Sequence, residues 1–499
     1  MKTMLERGAG LLMPVSSLPS PYGIGTFGKS AYEFVDKLKK ARQKYWQVLP
    51  VGPTSYGDSP YQSFSAFAGN PYFIDLDILK EAGLLTQEEI DACYWGEDPS
   101  RVAYDAVFYY RFPLLKKAFV RSEFREEEGY EKFCLENWYW LNDYAFYMAL
   151  KFHFDNREWL SWPEDIRFRR KEAVEKYRDE LKDEIEFWKF LQYEFFRQWK
   201  KLRSYANSQG IRIIGDIPIY VALDSADVWT HPELFELDEE NLTPLKVAGV
   251  PPDAFSEDGQ LWGNPLYRWD MQIKTDFSWW KERMRASARL YDVVRIDHFI
   301  GVVQYYAIPA GAADGRTGEW MKGPGKLLTD AINASVGDTK IIAEDLGVFS
   351  PDVKALLAET GYPGMKILEF AFSGDRFNEH LPHMYSPNSV VYGGTHDNET
   401  LAGYFKPEAR QWWELQYIAD YMGVKHQTEV VDKVMFTAYA SVASVVVFQV
   451  QDVLKLDNSA RMNVPGTVGN NWRWRLLPGQ LTDGHLEHLA WLVDTFGRF

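Results

Sequence analysis

Eight short apolar runs along the chain constrain the fold more than any other feature of this sequence. The runs are rich in β-branched residues and are separated by segments with helical periodicity, which is typical of parallel strands in an α/β protein. They are residues 10–15 (GLLMPV), 45–49 (YWQVL), 211–217 (IRIIGDI), 291–296 (YDVVRI), 340–343 (KIIA), 365–370 (MKILEF), 390–392 (VVY) and 444–450 (SVVVFQV). Because eight parallel strands close a barrel, we predict an α/β fold of the (β/α)8 TIM barrel type.

The spacing between the runs predicts helices and two insertions. An amphipathic helix leads into the third run and is capped by Gly210. Its apolar positions are Leu191, Phe195, Trp199, Leu202 and Ala206. We expect a single barrel over residues 1–499, a charged, Trp-rich helical insertion subdomain at 79–190, and a loop-rich insertion at 221–272 that covers the active-site groove.

An open doubly wound sheet with a dinucleotide site is the alternative architecture, because Gly23, Gly25 and Gly28 fit the G-x-G-x-x-G pattern. That site requires the first glycine to end a strand and an acidic residue about 20 positions further on. Here seven residues, two of them proline, separate Val15 from Gly23, and the later position is hydrophobic. We interpret the three glycines as loop turns.

Composition excludes several classes of partner. The formal net charge of -16 opposes binding to nucleic acid or to an anionic membrane surface, since both need clustered Lys and Arg. No stretch approaches about 18 consecutive apolar residues, the length that spans a bilayer. Cys93 and Cys134 form no CxxC pair, which fits a reducing compartment, and the N-terminus lacks the apolar region of a signal peptide. We expect a soluble, cytoplasmic protein, and the sequence gives no oligomeric state.

Four of the predicted strands end in a carboxylate. Asp216 lies at the end of the third run, and Asp297, Glu344 and Asp397 follow the fourth, fifth and seventh runs. The active site of a β/α barrel lies at the carboxyl ends of its strands. A single strand-end carboxylate is explained by a salt bridge or a helix cap. Four that converge on one mouth repel one another and raise one another's pKa, which general acid chemistry uses.

Asp297 and Glu344 fit the chemistry of glycosidic cleavage. Retention of configuration needs two carboxyl groups about 5 to 5.5 Å apart, one as nucleophile and one as acid and then base. Neighbouring strand ends provide such a distance. Arg295 lies two residues before Asp297, on the same face of the strand, and should keep it ionised. Glu344 has no such neighbour, so its pKa should rise. Taken alone, an Arg-x-Asp pair is more often a buried ion pair.

The segments around these carboxylates resemble a known enzyme family. Residues 294–301 (VRIDHFIG), 341–347 (IIAEDLG) and 393–400 (GGTHDNET) are similar to the catalytic segments of the 4-α-glucanotransferases, also called amylomaltases or disproportionating enzymes. Residues 55–76, 215–229, 249–267 and 461–466 match the same family. The similarity extends in the family's order from GLLMPVSSLPSPYGIGTFG to RMNVPGT, nearly the whole chain.

The resemblance implies a role for each matching residue. Asp297 resembles the nucleophile, Glu344 the acid/base and Asp397 a third carboxylate that holds sugar hydroxyls. Substrate contacts implied in the same way are Arg295, His298, His396 and Asp216 near the cleavage point, Ser59, Tyr61 and Asn463 on the donor side, Phe255, Gln260 and Trp262 in a covering loop, and Tyr56 and Tyr104 at a second glucan site. Ala254 departs from a branch of the family that has an aromatic residue there, which affects acceptor affinity rather than chemistry.

Two histidine pairs have the spacing of metal ligands. His380 and His383 are three residues apart but have a proline between them and no third ligand nearby, and His485 and His488 fit the surface of a C-terminal helix. We therefore predict no metal site. The chemistry that the carboxylates indicate also requires no cofactor.

The favoured function is transfer of a segment of an α-1,4-glucan or maltooligosaccharide to the 4-hydroxyl of another glucan or glucose, through a covalent glycosyl-aspartate. An α-1,4-glucan hydrolase of the α-amylase type is the alternative, because it would use the same carboxylates with water as acceptor. A carbohydrate-binding protein without catalysis is a third interpretation, which the intact carboxylate set opposes. The aromatic content of 16% fits either a sugar-lined groove or a large core.

Overall fold

The computed structural model describes residues 5–252, 256–347 and 350–499, apart from the side chains of Tyr56 and Ala409. Its strands in chain order are β1 (Gly8–Leu12), β2 (Tyr45–Gln47), β3 (Arg212–Pro218), β4 (Lys246–Val250), β5 (Gln260–Pro265), β6 (Val293–Asp297), β7 (Gln304–Pro309), β8 (Glu319–Lys322), β9 (Lys340–Ala343), β10 (Gly364–Ile367), β11 (Ser389–Tyr392) and β12 (Val445–Gln449).

Eight of these strands form one parallel sheet in the order β10-β11-β12-β1-β2-β3-β6-β9. Each corresponds to one of the eight apolar runs. The two ends of the sheet meet where the Ala343 amide donates to the Pro363 carbonyl at 3.0 Å and the Met365 amide donates to the Asp345 carboxylate at 2.7 Å. These contacts join β9 to β10, and the predicted (β/α)8 barrel is confirmed.

Helices surround the barrel and fill the long interval between β2 and β3. The helices are α1 (Lys29–Lys40), α2 (Leu76–Glu81), α3 (Gln87–Asp91), α4 (Tyr104–Arg121), α5 (Glu128–Glu136), α6 (Trp138–His153), α7 (Glu164–Arg167), α8 (Lys171–Glu180), α9 (Lys182–Ser208), α10 (Ala226–Thr230), α11 (Trp269–Lys274), α12 (Ser278–Leu290), α13 (Ile300–Val303), α14 (Lys326–Ser335), α15 (Pro351–Thr360), α16 (Leu401–Tyr404), α17 (Trp412–Met422), α18 (Val430–Ala440), α19 (Val450–Val453) and α20 (Asp483–Phe496). The predicted apolar positions before Gly210 are all buried on α9.

The segment 221–272 differs from the prediction of long loops. It contains α10 and the strands β4 and β5, which join β7 and β8 in a four-stranded antiparallel sheet of order β5-β4-β7-β8. A shift in register between Val247 and Gly249 interrupts the pairing of β4 with β5, and such irregularity disrupts the alternation by which a strand is recognised in a sequence.

The three glycines of the G-x-G-x-x-G pattern have different structural roles. Gly23 has a φ of 75° and serves a turn, as predicted. A Cβ atom on Gly25 would lie 1.8 Å from the Val15 carbonyl oxygen, and one on Gly28 would lie 1.9 Å from the Asp75 carboxylate. Gly25 and Gly28 therefore allow close packing rather than a turn. Within the described ranges, the helices are all too short or too polar to cross a bilayer.

Candidate active site

A cavity of about 560 Å³ opens at the carboxyl ends of the barrel strands. Three carboxylates, Asp224, Asp297 and Asp397, line it together with His298 and His396. Aromatic and amide side chains from separate segments complete the wall, among them Tyr61, Tyr220, Trp262, Asn264, Asn463 and Trp472. The cavity thus combines acidic groups with flat apolar rings, and this combination suits a sugar chain.

Arg295 is a buried cation shared by two carboxylates. Its Nη1 atom lies 2.7 Å from both oxygens of Asp216, and its Nη2 atom lies 2.9 Å from Oδ1 of Asp297. Residues 295 and 297 project to the same face of β6, while Asp216 pairs with Arg295 across the ladder between β3 and β6. The Tyr61 hydroxyl donates to Oδ2 of Asp216 at 2.8 Å. Asp216 therefore supports the cavity from below.

Glu344 follows β9 directly beside Asp297. Ile296 pairs with Ala343, so the next residue of each strand, Asp297 and Glu344, are neighbours at the mouth. Backbone amides orient the Glu344 carboxylate: the N–H of His298 donates to Oε2 at 2.7 Å and that of Leu346 donates to Oε1 at 2.9 Å. The carboxyl group is therefore fixed by the turns that follow the two strands.

Burial and neighbouring charges give Asp297 and Glu344 different pKa values. It raises the pKa of Asp297 to about 6, although Arg295 opposes the rise. Burial and the charge of Asp297 raise the pKa of Glu344 to about 8, against the opposing effects of Arg295 and the two backbone amides. Arg295 thus favours ionised Asp297, as predicted, but burial outweighs it. At neutral pH Asp297 is mainly ionised and Glu344 mainly protonated.

An aromatic stack forms another side of the cavity. The rings of Tyr61 and His396 are stacked with centroids 5.0 Å apart, and Trp472 lies 5.7 Å from Tyr61 and 5.8 Å from His396. Trp472 has a φ of 64°, a left-handed conformation that is costly for a bulky residue and is found mostly where a functional site requires it. The stack therefore holds His396 in one orientation.

Asp397 is held by the segment that follows β12. The Asn463 amide donates to Oδ1 of Asp397 at 2.6 Å, and the Arg461 guanidinium donates to the Asp397 carbonyl at 2.7 Å. The imidazole Nε2 of His396 lies 3.5 Å from Oδ2 of Asp397. The carboxylate is thus oriented by side chains rather than by a strand.

His298 and Trp262 contact each other at the wall of the cavity. Their rings are perpendicular with centroids 4.9 Å apart, and the Trp262 Nε1 atom donates to Oε1 of Gln260 at 3.1 Å. His298 has a φ of 51°, and burial lowers its pKa to about 4, so the imidazole is neutral. Its Nε2 atom has no hydrogen-bond partner among the described residues. Gln260 and Trp262 stand on β5, so they are held by the antiparallel sheet.

The remaining predicted site residues have varied positions. Ser59 lines the cavity and accepts a hydrogen bond from the Tyr61 amide at 3.2 Å. Tyr104 is only 5% exposed, and its hydroxyl donates to the Trp472 carbonyl at 3.0 Å, which leaves little ring surface for a sugar. Phe255 lies outside the described residues, as does the side chain of Tyr56.

The histidine pairs with ligand spacing make other contacts. The Ile367 amide donates to Nδ1 of His380 at 3.1 Å, and burial lowers the pKa of His380 to about 4. His383 contacts the Tyr421 hydroxyl at 3.0 Å, and the Thr482 amide donates to Nδ1 of His485 at 3.1 Å, at the start of α20. These contacts give His380, His383 and His485 structural roles.

Sequence reasoning missed several residues of the cavity. Trp472, Tyr220 and Asn264 line it, and Arg461 orients Asp397. Arg461 and Asn264 lie within segments that match the family, two residues before Asn463 and two after Trp262. Alternation along an extended segment places such neighbours on one side, and this was the available signal.

Comparisons with known proteins identify the family of the chain. The family model for 4-alpha-glucanotransferase matches residues 13–481. The chain is 48% identical to the 4-alpha-glucanotransferase of Clostridium butyricum, over 97% of this chain and 100% of the relative, and 46% identical to that of Thermus thermophilus, over 99% of each. The amylomaltase of Streptococcus agalactiae, solved in complex with acarbose, superimposes with a TM-score of 0.95 at 42% identity, over 99% of this chain and 100% of that one. The chain belongs to the 4-alpha-glucanotransferase family.

Proposed function

We propose that this protein transfers segments of α-1,4-glucans to the 4-hydroxyl of a second glucan or of glucose, with retention of configuration. The observation that carries the proposal is the pair of carboxyl groups at the ends of the paired strands β6 and β9, the half-buried Asp297 and the buried Glu344. Neighbouring strands lie about 4.8 Å apart, and retaining enzymes need carboxyl groups about 5 to 5.5 Å apart.

In the first step Asp297 attacks the anomeric carbon of the donor. Its ionised form is available at neutral pH, and the contact of 2.9 Å with Arg295 aims one of its oxygens. The bond to the departing sugar breaks as a covalent glycosyl-aspartate forms. The departing oxygen takes its proton from Glu344, whose raised pKa keeps that proton available.

In the second step Glu344 acts as a base. It has lost its proton to the departing sugar, and it removes one from the incoming 4-hydroxyl, which then attacks the glycosyl-aspartate. The configuration at the anomeric carbon is thereby inverted twice and so retained. The two backbone amides that bind Glu344 keep its oxygens in place in both protonation states.

Asp397 and the neighbouring side chains bind the distorted sugar ring. With Asn463 on one oxygen and His396 near the other, the Asp397 carboxylate presents a fixed acceptor to sugar hydroxyls at the mouth. The rings of Tyr61 and Trp262 both line the cavity. These contacts favour transfer over hydrolysis because they bind an acceptor sugar and exclude water.

Maltotriose distinguishes the transferase from a hydrolase. A transferase converts it to glucose and to maltopentaose and longer chains, while the total number of reducing ends stays nearly constant. Chromatography of the products with a reducing-end assay measures both quantities. Reducing ends that rise in step with glucose would instead establish an α-glucan hydrolase. Because the two cysteines are free, which fits a reducing compartment, we propose that the reaction takes place in the cytoplasm.

A further inference from the structure

Two more buried carboxyl groups lie beneath the loop that bears His396 and Asp397. Glu369 follows β10 and is 2% exposed, and Asp452 follows β12 and is 0% exposed. The atoms Oε1 of Glu369 and Oδ2 of Asp452 are buried without a hydrogen-bond partner in the described part of the chain. The mechanism above uses neither group, although both approach the loop at residues 393–401.

A set of contacts and hydrogen bonds connects Glu369 to Asp397. The Asn398 side chain lies beside the Glu369 carboxyl group, and both pack against Gly394. The Asn398 Oδ1 atom accepts from the Thr395 amide at 2.9 Å and from the Thr395 hydroxyl at 2.8 Å. The Thr395 hydroxyl oxygen in turn accepts from the Asp397 amide at 3.3 Å. The turn that presents Asp397 is therefore tied to Glu369 through two side chains.

Packing brings Glu369 and Asp452 against the same loop at separate points. A Cβ atom on Gly394 would lie 2.6 Å from Oε1 of Glu369 and 2.9 Å from Cβ of Asn398, so the loop backbone rests on both side chains. At the far end of the loop, the Leu401 amide donates to Oδ1 of Asp452 at 2.8 Å. The loop cannot shift toward the barrel without displacing Glu369.

The surroundings of Glu369 disfavour a negative charge. Among the described residues no Lys or Arg forms an ion pair with it, and the charged groups that act on it are Asp452, Glu399 and Arg461. Burial, together with the two acidic neighbours, raises the pKa of Glu369 well above its usual range, while Arg461 opposes the rise from its position beside the Asp397 carbonyl. A buried oxygen without a partner also costs less when the group is neutral.

We propose that Glu369 is a positioning residue that supports Asn398 and through Thr395 fixes Asp397 for binding of the distorted sugar. The inference rests on the proposed function, because contact of Asp397 with the substrate belongs to it. The network does not touch the reacting atoms, so its effect on the reaction is transmitted through the loop.

The substitutions Glu369→Gln and Glu369→Ala test the proposal. Glutamine preserves the shape and lacks charge, and its carbonyl can accept from Asn398, so we expect kcat for maltotriose within about twofold of the wild-type value. Alanine removes the anchor, and we expect kcat to fall on the order of tenfold to a hundredfold with a smaller change in KM. Glu319→Gln, at an exposed carboxylate on β8, is the matched control and should behave as wild type.

Infrared spectroscopy supplies a measurement that does not depend on activity. A protonated carboxyl group absorbs at a higher frequency than a carboxylate, and at neutral pH the difference spectrum between wild type and Glu369→Gln should contain this band. The spectrum for Glu319→Gln should show loss of a carboxylate instead. Failure of the transferase reaction in the wild-type protein would leave this spectrum unchanged, so the two hypotheses fail separately.

Two results would overturn the proposal. The first concerns Glu369→Gln: either the variant is as impaired as Glu369→Ala, so that glutamine cannot replace the carboxyl group, or the difference spectrum lacks the band, so that Glu369 carries a charge. The second is additivity between Glu369→Ala and Asn398→Ala in the double variant. If both residues act through one network, the double variant should lose little more activity than the more impaired of the two single variants. Asn398→Ala leaves Glu369 in place and serves as the test if Glu369→Ala does not fold.

Discussion

The two sides of the barrel mouth hold their carboxylates in different ways. On one side Asp216, Asp297 and Glu344 stand on or directly after paired strands, so the backbone ladder sets their spacing. On the other side Asp397 stands in a loop after β11 and is oriented by Asn463 and by the Thr395 hydroxyl.

This difference assigns the two sides different tasks. A ladder permits little movement, which suits the two groups that exchange a bond and a proton with the substrate. A loop held by side chains can adjust as a sugar ring distorts, and its position depends on every partner. We therefore expect substitutions on the strand side to remove chemistry and substitutions on the loop side to weaken it by degrees.

The largest effect is expected for Asp297→Asn. The substitution keeps the shape and removes the charge that attacks the anomeric carbon, so kcat should fall by at least about a thousandfold while the fold persists. Rates on maltotriose, with circular dichroism to establish folding, measure this. Asp276→Asn, at a side chain that is 89% exposed, is the control. Retention of more than about a tenth of the rate would mean that another group attacks.

Glu344→Gln should stop the same reaction at a different step. Glutamine can neither give a proton to the departing sugar nor take one from the acceptor, so kcat should fall on the order of a hundredfold to ten-thousandfold. With maltosyl fluoride, whose departure needs no proton, the glycosyl-enzyme should accumulate on the peptide that contains VRIDHF and be detected by mass spectrometry. Azide should release it as a glycosyl azide of α configuration. A β product would contradict both assignments.

On the loop side Asn463→Ala should have an intermediate effect. It removes the contact of 2.6 Å that orients Asp397, and we expect kcat/KM to fall by about tenfold. Asn463→Asp should be worse, because it places a second negative charge against Asp397. Steady-state kinetics on maltotriose test both variants. Equal losses in Asn463→Ala and Asp297→Asn would remove the distinction between the two sides.

The strand side of the site could be predicted from the sequence to a greater extent than the loop side. All eight strands and the strand-borne Asp216, Asp297 and Glu344 were predictable, because alternation and strand ends are local properties. The contact of Trp472 with Tyr61 was not, because it joins distant segments and depends on a left-handed backbone at Trp472. The strands β4 and β5 were missed for a local reason, the register shift near Gly249.

The smallest expected effect is on the pH dependence of activity, because the charge of Asp397 on the loop side acts on Asp297 on the strand side. The proposed mechanism requires ionised Asp297 and protonated Glu344, so kcat/KM should rise as pH passes about 6 and fall as it passes about 8. The charge of Asp397 raises the pKa of Asp297. Asp397→Asn should therefore lower that pKa and move the acidic limb to lower pH. The residual rate with maltosyl fluoride, measured across pH, tests the direction, and a shift to higher pH would contradict it.

The sharing of Arg295 between two carboxylates matters most when Asp297 carries a sugar. Attachment of the sugar to the Asp297 carboxylate forms an ester and removes its negative charge. If Asp297 were its only partner, the buried guanidinium of Arg295 would then be an unpaired cation. Because Asp216 contacts the same guanidinium with both oxygens, Arg295 remains neutralised while the glycosyl-enzyme exists. In the proposed mechanism, Asp216 therefore stabilises the glycosyl-enzyme between its formation and its transfer to the acceptor.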